Sequence, residues 1–325
     1  MIIPTRNEEK YIGECLRSFS NQTYPEDLFE VLVVDGMSED RTLHVVRSYA
    51  KRLNLEVIEN AKIKQVFALN LGIEAAKGDY FIIVGGHSFV ERDFIERNVE
   101  VFYRVKAEEP KLVAVGGCLE IICGNTMAEL FSSIYSSPFS GGSSFWYSKN
   151  AHFANTVAFG FYHKKTVQEV GCFDDEMISG EDFELNMRLL KRGYRLYYSP
   201  EIKSHYHARS TFRSFLKQSF DYGAAKGLCF RKRYFNPLWF VPLTFVVYQT
   251  ALFFALLMQS LGSFLAAFSI PFIAYWVITL SVSLFFFKRQ RRLSVLPILF
   301  WVFHNVIGLG FLTGVLLERR LLGVL

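Results

Sequence analysis

The sequence predicts an α/β domain with a mainly parallel central sheet, followed by C-terminal transmembrane helices. In the first 117 residues, short apolar segments alternate with helical patterns of 10–15 residues, which is typical of a parallel sheet covered by helices. Hydrophobic residues make up 51% of the 325 residues, with a mean hydropathy of +0.19. That is more apolar than an ordinary soluble enzyme, and the excess lies from Leu238 onward.

Charge and cysteine content narrow the class of protein. After Pro237 the chain has six Lys and Arg but one acid, so the net charge of +5 lies in the tail. This distribution indicates the flanks of membrane spans and gives no support for nucleic-acid binding. The five cysteines lack C-x-x-C spacing, which argues against a zinc site or a disulfide framework and fits a reducing cytosol. The N-terminus lacks a signal-peptide pattern, so we expect the first domain on the cytosolic side.

The N-terminal segments alternate in type. Strands are predicted at 1–3, 29–35, 55–58, 79–84 and 112–117, and helices after residue 9 to about 21 and at about 41–52, 65–76 and 91–106. The strand at 29–35 is nearly all apolar, as expected for a strand covered on both faces. Such sheets bind ligands at the carboxyl ends of their strands, where Asn7, Asp35 and His87 fall.

Residues 119–160 are harder to assign to strands and helices than the segments before them. Residues 132–148, rich in Ser, Gly and aromatic residues, predict either a loop near a site or an ordinary long connection. Residues 179–194 predict a helix that Ser179 caps and that ends at a left-handed Gly193. Glu181 and Asp182 in its first turn are either acids favoured by the helix dipole or a catalytic pair. A strand at 195–198 and an amphipathic segment at 211–230 follow.

The tail contains three apolar spans at about 238–258, 262–287 and 293–317, each long enough to cross a bilayer. Basic clusters at 231–233 and 288–292 flank the first two spans. Because Lys and Arg beside a membrane span indicate its cytosolic end, we expect both clusters in the cytosol. A third crossing would leave Arg319 and Arg320 outside, so span three is alternatively re-entrant or packed in the interface. We therefore predict a cytosolic domain at 1–235 and a membrane domain at 236–325.

Five ordered motifs carry a family resemblance. They are Pro-Thr-Arg-Asn-Glu-Glu at 4–9, Val-Val-Asp-Gly-x-Ser-x-Asp-x-Thr at 33–42, Leu-Asn-x-Gly-Ile-x-x-Ala-Lys-Gly-Asp-Tyr at 69–80, Val-Gly-x-Phe-Asp at 170–174 and Gly-Glu-Asp at 180–182. This set resembles the family 2 glycosyltransferases with the GT-A fold over about residues 1–235. Within that family it is most similar to the membrane-attached exopolysaccharide enzymes of the succinoglycan type.

The resemblance implies inverting transfer of a sugar from a nucleotide-diphosphate donor, usually a UDP-sugar. It makes Asp182 the general base, beside Glu181, because the acceptor hydroxyl must lose its proton as it attacks. The base of the nucleotide would hydrogen-bond to Asp35. The residues expected to bind the nucleotide-sugar are Pro4, Thr5, Asn7, Glu8, Asp35, Asp40 and Lys64.

The metal-binding motif departs from the family pattern. The family usually has Asp-x-Asp after the fourth strand, where the acids hold Mg²⁺ or Mn²⁺ on the diphosphate, but this chain has Gly85-Gly86-His87. Magnesium prefers oxygen ligands, whereas His87 suits a softer ion such as Mn²⁺. A divalent metal, Mn²⁺ or Mg²⁺, is therefore expected from the family, although Gly85 and His87 replace the two acids that would hold it.

Two sources of positive charge remain open for the diphosphate. His205 or His207 could join His87 at a metal, and His207 is the later histidine that we place in the predicted metal site. Basic residues could neutralise the phosphates instead, with Lys62, Lys64 and Arg209 as candidates.

A second departure concerns the acceptor. Polymerising relatives carry Gln-x-x-Arg-Trp, whereas Gln218 is followed here by Ser-Phe-Asp and Tyr222. This favours transfer of a single sugar, with Gln218 and Tyr222 on the acceptor side. The same helix is also explained as an amphipathic interfacial helix, and both interpretations can hold.

Three functions remain in view. The first is a multi-pass enzyme of the cytoplasmic membrane, with its catalytic domain in the cytosol, that extends a lipid-linked glycan. The second is a pseudoenzyme or sugar-nucleotide-binding partner in a polysaccharide assembly complex, which the missing metal-binding acids favour. The third is transfer to polyprenyl phosphate itself.

Overall fold

The computed structural model describes residues 1–141, 143–146, 148–177, 179–258, 264–286 and 293–316. The chain packs into two compact units that interleave in sequence. The first unit comprises Met1–Ile122, Ser143–Met177 and Glu181–His207. The second comprises the described parts of 123–142, 178–180 and 208–325. These units divide the chain by packing, so the cytosolic and membrane domains at 1–235 and 236–325 stay a prediction.

The elements follow the chain in a regular order. The strands are β1 Ile2–Thr5, β2 Val31–Asp35, β3 Leu55–Glu59, β4 Tyr80–Ile82, β5 Ser88–Val90, β6 Leu112–Ile122, β7 His152–Ala154, β8 Ala158–His163 and β9 Arg195–His207. The helices are α1 Ile12–Ser20, α2 Thr42–Ser48, α3 Gln65–Ala75, α4 Phe94–Glu108, α5 Thr126–Tyr135, α6 Lys164–Val170, α7 Glu181–Lys191, α8 Phe212–Arg231, α9 Val241–Leu257, α10 Phe264–Phe286 and α11 Leu296–Leu316.

The first unit is built on two joined sheets. Strands β1, β2 and β3 form a parallel sheet in the order β1-β2-β3. A parallel bridge between Ile2 and Ile83 connects this sheet to the segment that follows β4. The second sheet has the order β4-β8-β6-β9-β5 and is mixed, with β6 and β9 as its parallel pair. The predicted α/β class is confirmed, and the parallel part is the part that carries the N-terminal motifs.

Both faces of the parallel sheet are buried, as the apolar run in β2 predicts. Val31 and Val33 pack on the side of α1 and α4, while Leu32 and Val34 pack on the side of α3. All four side chains are fully buried. Because the alternating faces both need apolar residues, β2 has no polar position until Asp35, where the strand ends.

Some predicted bounds differ from the structure. Strand β9 continues far beyond residue 198, since its C-terminal half pairs in parallel with β6 up to Ile122 and His207. Helix α7 begins at Glu181, so Gly180, at φ 68°, stands at its start where Ser179 was expected. Its other end is confirmed, with Gly193 at φ 83°. Residues 132–148 include the end of α5 and two short 3₁₀ turns, with residues 142 and 147 outside the described residues.

The second unit has its own core, formed by α5, α8 and α11. The rings of Phe131 and Phe215 stack at 4.5 Å. Helices α8 and α11 run parallel with their backbones in contact. A Cβ added at Gly223 would lie 2.2 Å from the Ile307 carbonyl oxygen, and one at Gly310 would lie 2.3 Å from that of Phe220. Small residues allow this approach, as they do between membrane helices.

Three helices are long and apolar enough to cross a membrane: Pro237–Leu257, Ala266–Phe285 and Leu296–Leu316. They match the predicted spans, except that positions 262–263, 287 and 317 lie outside the described residues. So do the linker 259–261, the cluster 288–292, Arg319 and Arg320. A larger share of the third helix is buried within the protein than of the other two, because one side of it lies along α8.

Candidate active site

Three loops meet where β1, β2 and β3 end. The Gly36 N–H donates to the Thr5 carbonyl at 2.8 Å, and the Asn60 N–H donates to the Asp35 carbonyl at 2.8 Å. Asn7 and Asp35 therefore lie at one edge of the parallel sheet, the edge at which such sheets bind ligands.

The first two loops are joined by a set of hydrogen bonds that we call the loop clasp, formed by Asn7, Asp35, Ser38 and Glu39. Ser38 donates to Asp35 twice, from Oγ to Oδ1 at 2.5 Å and from its N–H to Oδ2 at 2.9 Å. The Ser38 hydroxyl accepts from the Asn7 N–H at 2.9 Å, and Asn7 Oδ1 accepts from the Glu39 N–H at 2.9 Å. The clasp holds Asn7 at φ 55°, a conformation that asparagine tolerates better than most residues.

Asp40 also joins these two loops, a few residues further along each of them. Its carboxylate accepts from the Glu9 N–H at 3.1 Å and from the Thr42 N–H at 2.9 Å, and also accepts from the Thr42 hydroxyl. The Thr42 hydroxyl in turn accepts from the Glu8 N–H at 2.8 Å. Burial acts to raise the pKa of Asp40, but these hydrogen bonds outweigh it and lower that pKa. Asp40 thus has a structural role that needs no bound nucleotide.

The other predicted donor-site residues lie beside the loop clasp. Pro4 and Thr5 end β1, and Thr5 Oγ1 is buried without a hydrogen-bond partner in the described part of the chain. A Cβ at Gly86 would lie only 3.0 Å from that oxygen, so glycine keeps this approach open. Lys64 is exposed at the start of α3, and its carbonyl accepts from the Asn60 side chain at 3.0 Å.

His87 is held by Glu8, and not by a second histidine. Its Nδ1 lies 3.0 Å from Glu8 Oε1, and its ring meets the Tyr206 ring edge-on at a centroid distance of 5.1 Å. A carboxylate only accepts hydrogen bonds, so Nδ1 carries the proton and Nε2 the lone pair when the ring is neutral.

The two histidines of β9 have partners of their own. His207 Nε2 lies 2.7 Å from Glu14 Oε2. His205 Nε2 lies 2.8 Å from Glu91 Oε1. Across the described ranges, no three His, Cys, Asp or Glu residues form a group that could hold a metal ion.

Glu181 and Asp182 are neighbours in sequence but sit in different surroundings. Glu181 is 7% exposed, whereas the Asp182 side chain is exposed to solvent. Burial, followed by the negative charge of Asp182, raises the pKa of Glu181 to about 7. Although its side chain is exposed, the surrounding protein partly desolvates the Asp182 carboxylate, and this raises its pKa. Hydrogen bonds from the N–H groups of Phe183 and Asp182 act in the opposite direction and reduce the shift. Of the two acids, Asp182 is the one whose carboxylate a ligand can reach.

Helix α7 is fixed by residues that the sequence reasoning did not single out. Arg188 donates to the carbonyls of Val170 and Cys172 at 2.8 and 2.7 Å, and pairs with buried Glu184 at 2.6 Å. The Glu-x-x-x-Arg spacing within the helix was the available signal.

Asn70 of α3 holds the same loop from the other side. Its amide exchanges two hydrogen bonds with the backbone of Phe173, at 2.8 and 3.0 Å. The loop at 170–174, one of the five sequence motifs, therefore anchors the helix that begins with the acid pair.

The predicted acceptor residues belong to the second unit. Both lie on α8, where the Gln218 side-chain amide donates to the Tyr222 hydroxyl at 3.1 Å. The Tyr222 ring meets the Tyr135 ring edge-on at 5.7 Å.

Comparison with known proteins identifies the family. Residues 1–164 match the profile "Glycosyl transferase family 2" and residues 116–312 match "Glycosyl transferase family group 2". The chain is 45% identical over 320 residues, 97% of this chain and 96% of the other, to the dolichyl N-acetyl-α-D-glucosaminyl phosphate 3-β-D-2,3-diacetamido-2,3-dideoxy-β-D-glucuronosyltransferase of Methanococcus voltae. It is 26% identical over 260 residues, covering 75% of this chain and 76% of the other, to the succinoglycan biosynthesis protein ExoA of Rhizobium meliloti.

A solved structure shares the fold. The mannosyltransferase PcManGT from Pyrobaculum calidifontis, in complex with GDP-Man and Mn²⁺, aligns with a TM-score of 0.59 at 20% identity, covering 95% of this chain and 85% of the other. Taken together, the family profiles, the 45% identical relative and the shared fold show that the chain belongs to the family 2 glycosyltransferases.

Proposed function

We propose that this enzyme transfers one sugar, with inversion, from a nucleotide-diphosphate sugar to a polyprenyl-phosphate-linked glycan at the cytosolic face of the membrane. The observation that carries the proposal is the acid pair on α7, in which an exposed carboxylate adjoins a buried acid of raised pKa. An inverting transfer needs one accessible base to take the proton of the acceptor hydroxyl, and Asp182 meets that requirement.

Glu181 has a distinct part in this mechanism. With its pKa raised to about 7, it binds a proton at higher pH than an ordinary carboxylate does. While protonated, Glu181 adds no negative charge beside Asp182, and the exposed Asp182 is the carboxylate that an acceptor hydroxyl can reach. Helix α7 keeps the two in place through the Arg188 contacts.

The loop clasp supports the donor end of the reaction. It holds Asp35 and Asn7 in place at this edge of the sheet before any nucleotide binds. Less conformational entropy is then lost when the nucleotide binds. Thr5 supplies a buried hydroxyl that a ligand could satisfy. We assign nucleotide-sugar binding to Pro4, Thr5, Asn7, Glu8, Asp35, Asp40 and Lys64.

The acceptor proposal rests on the relative of Methanococcus voltae. Its name describes transfer to the 3-position of a sugar that dolichyl phosphate already carries, with a β linkage in the product. Similarity at 45% over nearly both chains favours a glycosylated lipid phosphate over bare polyprenyl phosphate as acceptor here. Three candidate membrane helices suit an acceptor that resides in the bilayer. Gln218 and Tyr222 remain our acceptor-side residues.

The residues at the metal position fit a single-ligand site. Glu8 fixes the proton of His87 on Nδ1 and leaves Nε2 as a metal ligand, an arrangement common in metal sites. Gly85 and Gly86 offer no side-chain ligand, and His207 is bonded to Glu14. We infer that His87 would hold a Mn²⁺ ion through Nε2. When bound, such an ion neutralises charge on the leaving diphosphate.

Asp182→Asn should lower kcat by about 100- to 10,000-fold, because the amide cannot accept the acceptor proton. Nucleotide binding, measured by calorimetry, should stay unchanged. Asp93→Asn is the matched control, since Asp93 is a partly exposed surface acid paired with Arg97. Equal turnover of the Asp182→Asn and wild-type enzymes would contradict the assignment of the base.

Glu181→Gln should be more stable than the wild type at pH 8.5 and equally stable at pH 4. Because the pKa of Glu181 is about 7 in the folded chain and near 4.5 when unfolded, this acid weakens folding as the pH rises between those values. The gain should approach about 3 kcal/mol at alkaline pH. Thermal unfolding across pH measures it, with Glu56→Gln on exposed β3 as the control. A pH-independent difference would refute the buried-acid explanation.

His87→Ala should weaken Mn²⁺ binding in the presence of UDP by about tenfold or more, because one imidazole ligand is lost. Electron paramagnetic resonance of free Mn²⁺ measures this without turnover. His44→Ala is the control, since His44 is exposed on α2. Full transfer activity in EDTA would instead favour the basic residues Lys62 and Lys64 as the source of positive charge.

A further inference from the structure

Lys226 lies on α8, in the second unit. Ser219, Tyr222, Gly223 and Lys226 share one side of the helix by their spacing. Ser219 lies 3.1 Å from the Tyr135 hydroxyl, and Gly223 lies against the backbone of Ile307. Lys226 is half-buried, and its ammonium is within electrostatic range of the His304 ring.

The Lys226 ammonium has no hydrogen bond or ion pair to any described residue. The described acids of the second unit are Glu129 and Asp221, and Asp221 lies 3.8 Å from Lys217. His304 does not substitute, since its Nδ1 faces the Tyr275 hydroxyl at 2.9 Å and its Nε2 faces the Phe139 carbonyl at 3.3 Å. Partial removal from water lowers the pKa of Lys226. A desolvated cation without a counter-charge destabilises the fold, so this position favours a bound anion.

The surroundings indicate which anion suits the site. Helix α8 lies along α11, which is long and apolar enough to cross a membrane, and precedes the first candidate span directly. A lipid phosphate is the kind of anion that suits a position beside a candidate membrane helix. On the proposed function, on which this inference rests, the acceptor itself carries a phosphate at the end of its polyprenyl chain. That phosphate must stay at the bilayer surface while the attached sugar reacts.

We propose that Lys226 binds the phosphate of the polyprenyl-linked acceptor. Tyr222 lies one helical turn before it on the same face, so the residue predicted from sequence as acceptor-side and the unpaired cation form one continuous surface of α8. The positive charge of Lys226 attracts a polyprenyl phosphate but not the uncharged alcohol, so the site distinguishes the two lipids. Lys226 holds the acceptor and takes no part in the chemical step.

The test compares two lipids on one protein. Binding of polyprenyl phosphate and of polyprenol to the full chain in nanodiscs of neutral lipid is measured by native mass spectrometry, without donor. The wild type should prefer the phosphate, and Lys226→Met should lose about 10- to 100-fold of that preference, the usual effect of removing a charged hydrogen-bond donor. Lys217→Met on the exposed side of α8 should keep it. Lys226→Gln serves as a second variant, and unchanged UDP binding shows that the variants fold.

Retention of the phosphate preference in both Lys226 variants would overturn the proposal. So would an equal, Lys226-dependent preference for phosphatidylglycerol, because the site would then bind ordinary headgroups. Asp182→Asn should keep the wild-type preference for the phosphate. Absence of transfer with every donor would count against the proposed function but leave this binding result standing, so the two failures are distinguishable.

Discussion

The hydrogen bonds from Ser38 to Asp35 and from Asn7 to Ser38 are the constraint on which the donor end of this enzyme depends. They tie the loop after β1 to the loop after β2, so the ends of two parallel strands act as one surface. Asp35 uses both carboxylate oxygens in this way and is only 3% exposed. The same acid that the family resemblance assigns to the nucleotide base therefore also builds the loop that would receive it. Loss of Ser38 would disturb both roles at once.

The acid pair on α7 and the proposed metal position differ in how many suitable side chains they contain. The acid pair on α7 is complete and firmly anchored, since Arg188 and Asn70 fix the loop at 170–174 from two sides. The metal position, by contrast, offers one imidazole and two glycines. On the proposed function, the negative charge of the leaving diphosphate would then be balanced by an ion held at His87 or by basic side chains, because the carboxylates that hold the metal in relatives are replaced here by Gly85 and His87.

Much of the fold follows from the sequence because its signals are local. The apolar run in β2, the helical spacing in α7 and the left-handed Gly193 each depend on neighbours along the chain. What could not be predicted depends on distant partners. The acid that holds each histidine lies 79, 114 or 193 residues away, for His87, His205 and His207 respectively. The length of β9 is set by its pairing with β6, and the isolation of Lys226 appears only once α11 lies against α8.

On the proposed function, Asp182 serves the transfer of a single sugar, with inversion, onto a glycosylated polyprenyl phosphate. The most direct measurement is the anomeric configuration of the product. Purified enzyme is incubated with a panel of UDP- and GDP-sugars and polyprenyl-phosphate-linked N-acetylglucosamine, and the new linkage is examined by NMR. The proposed function predicts one added sugar residue whose anomeric configuration is opposite to that of the donor. A retained configuration, a polymer, or no transfer from any donor would contradict it.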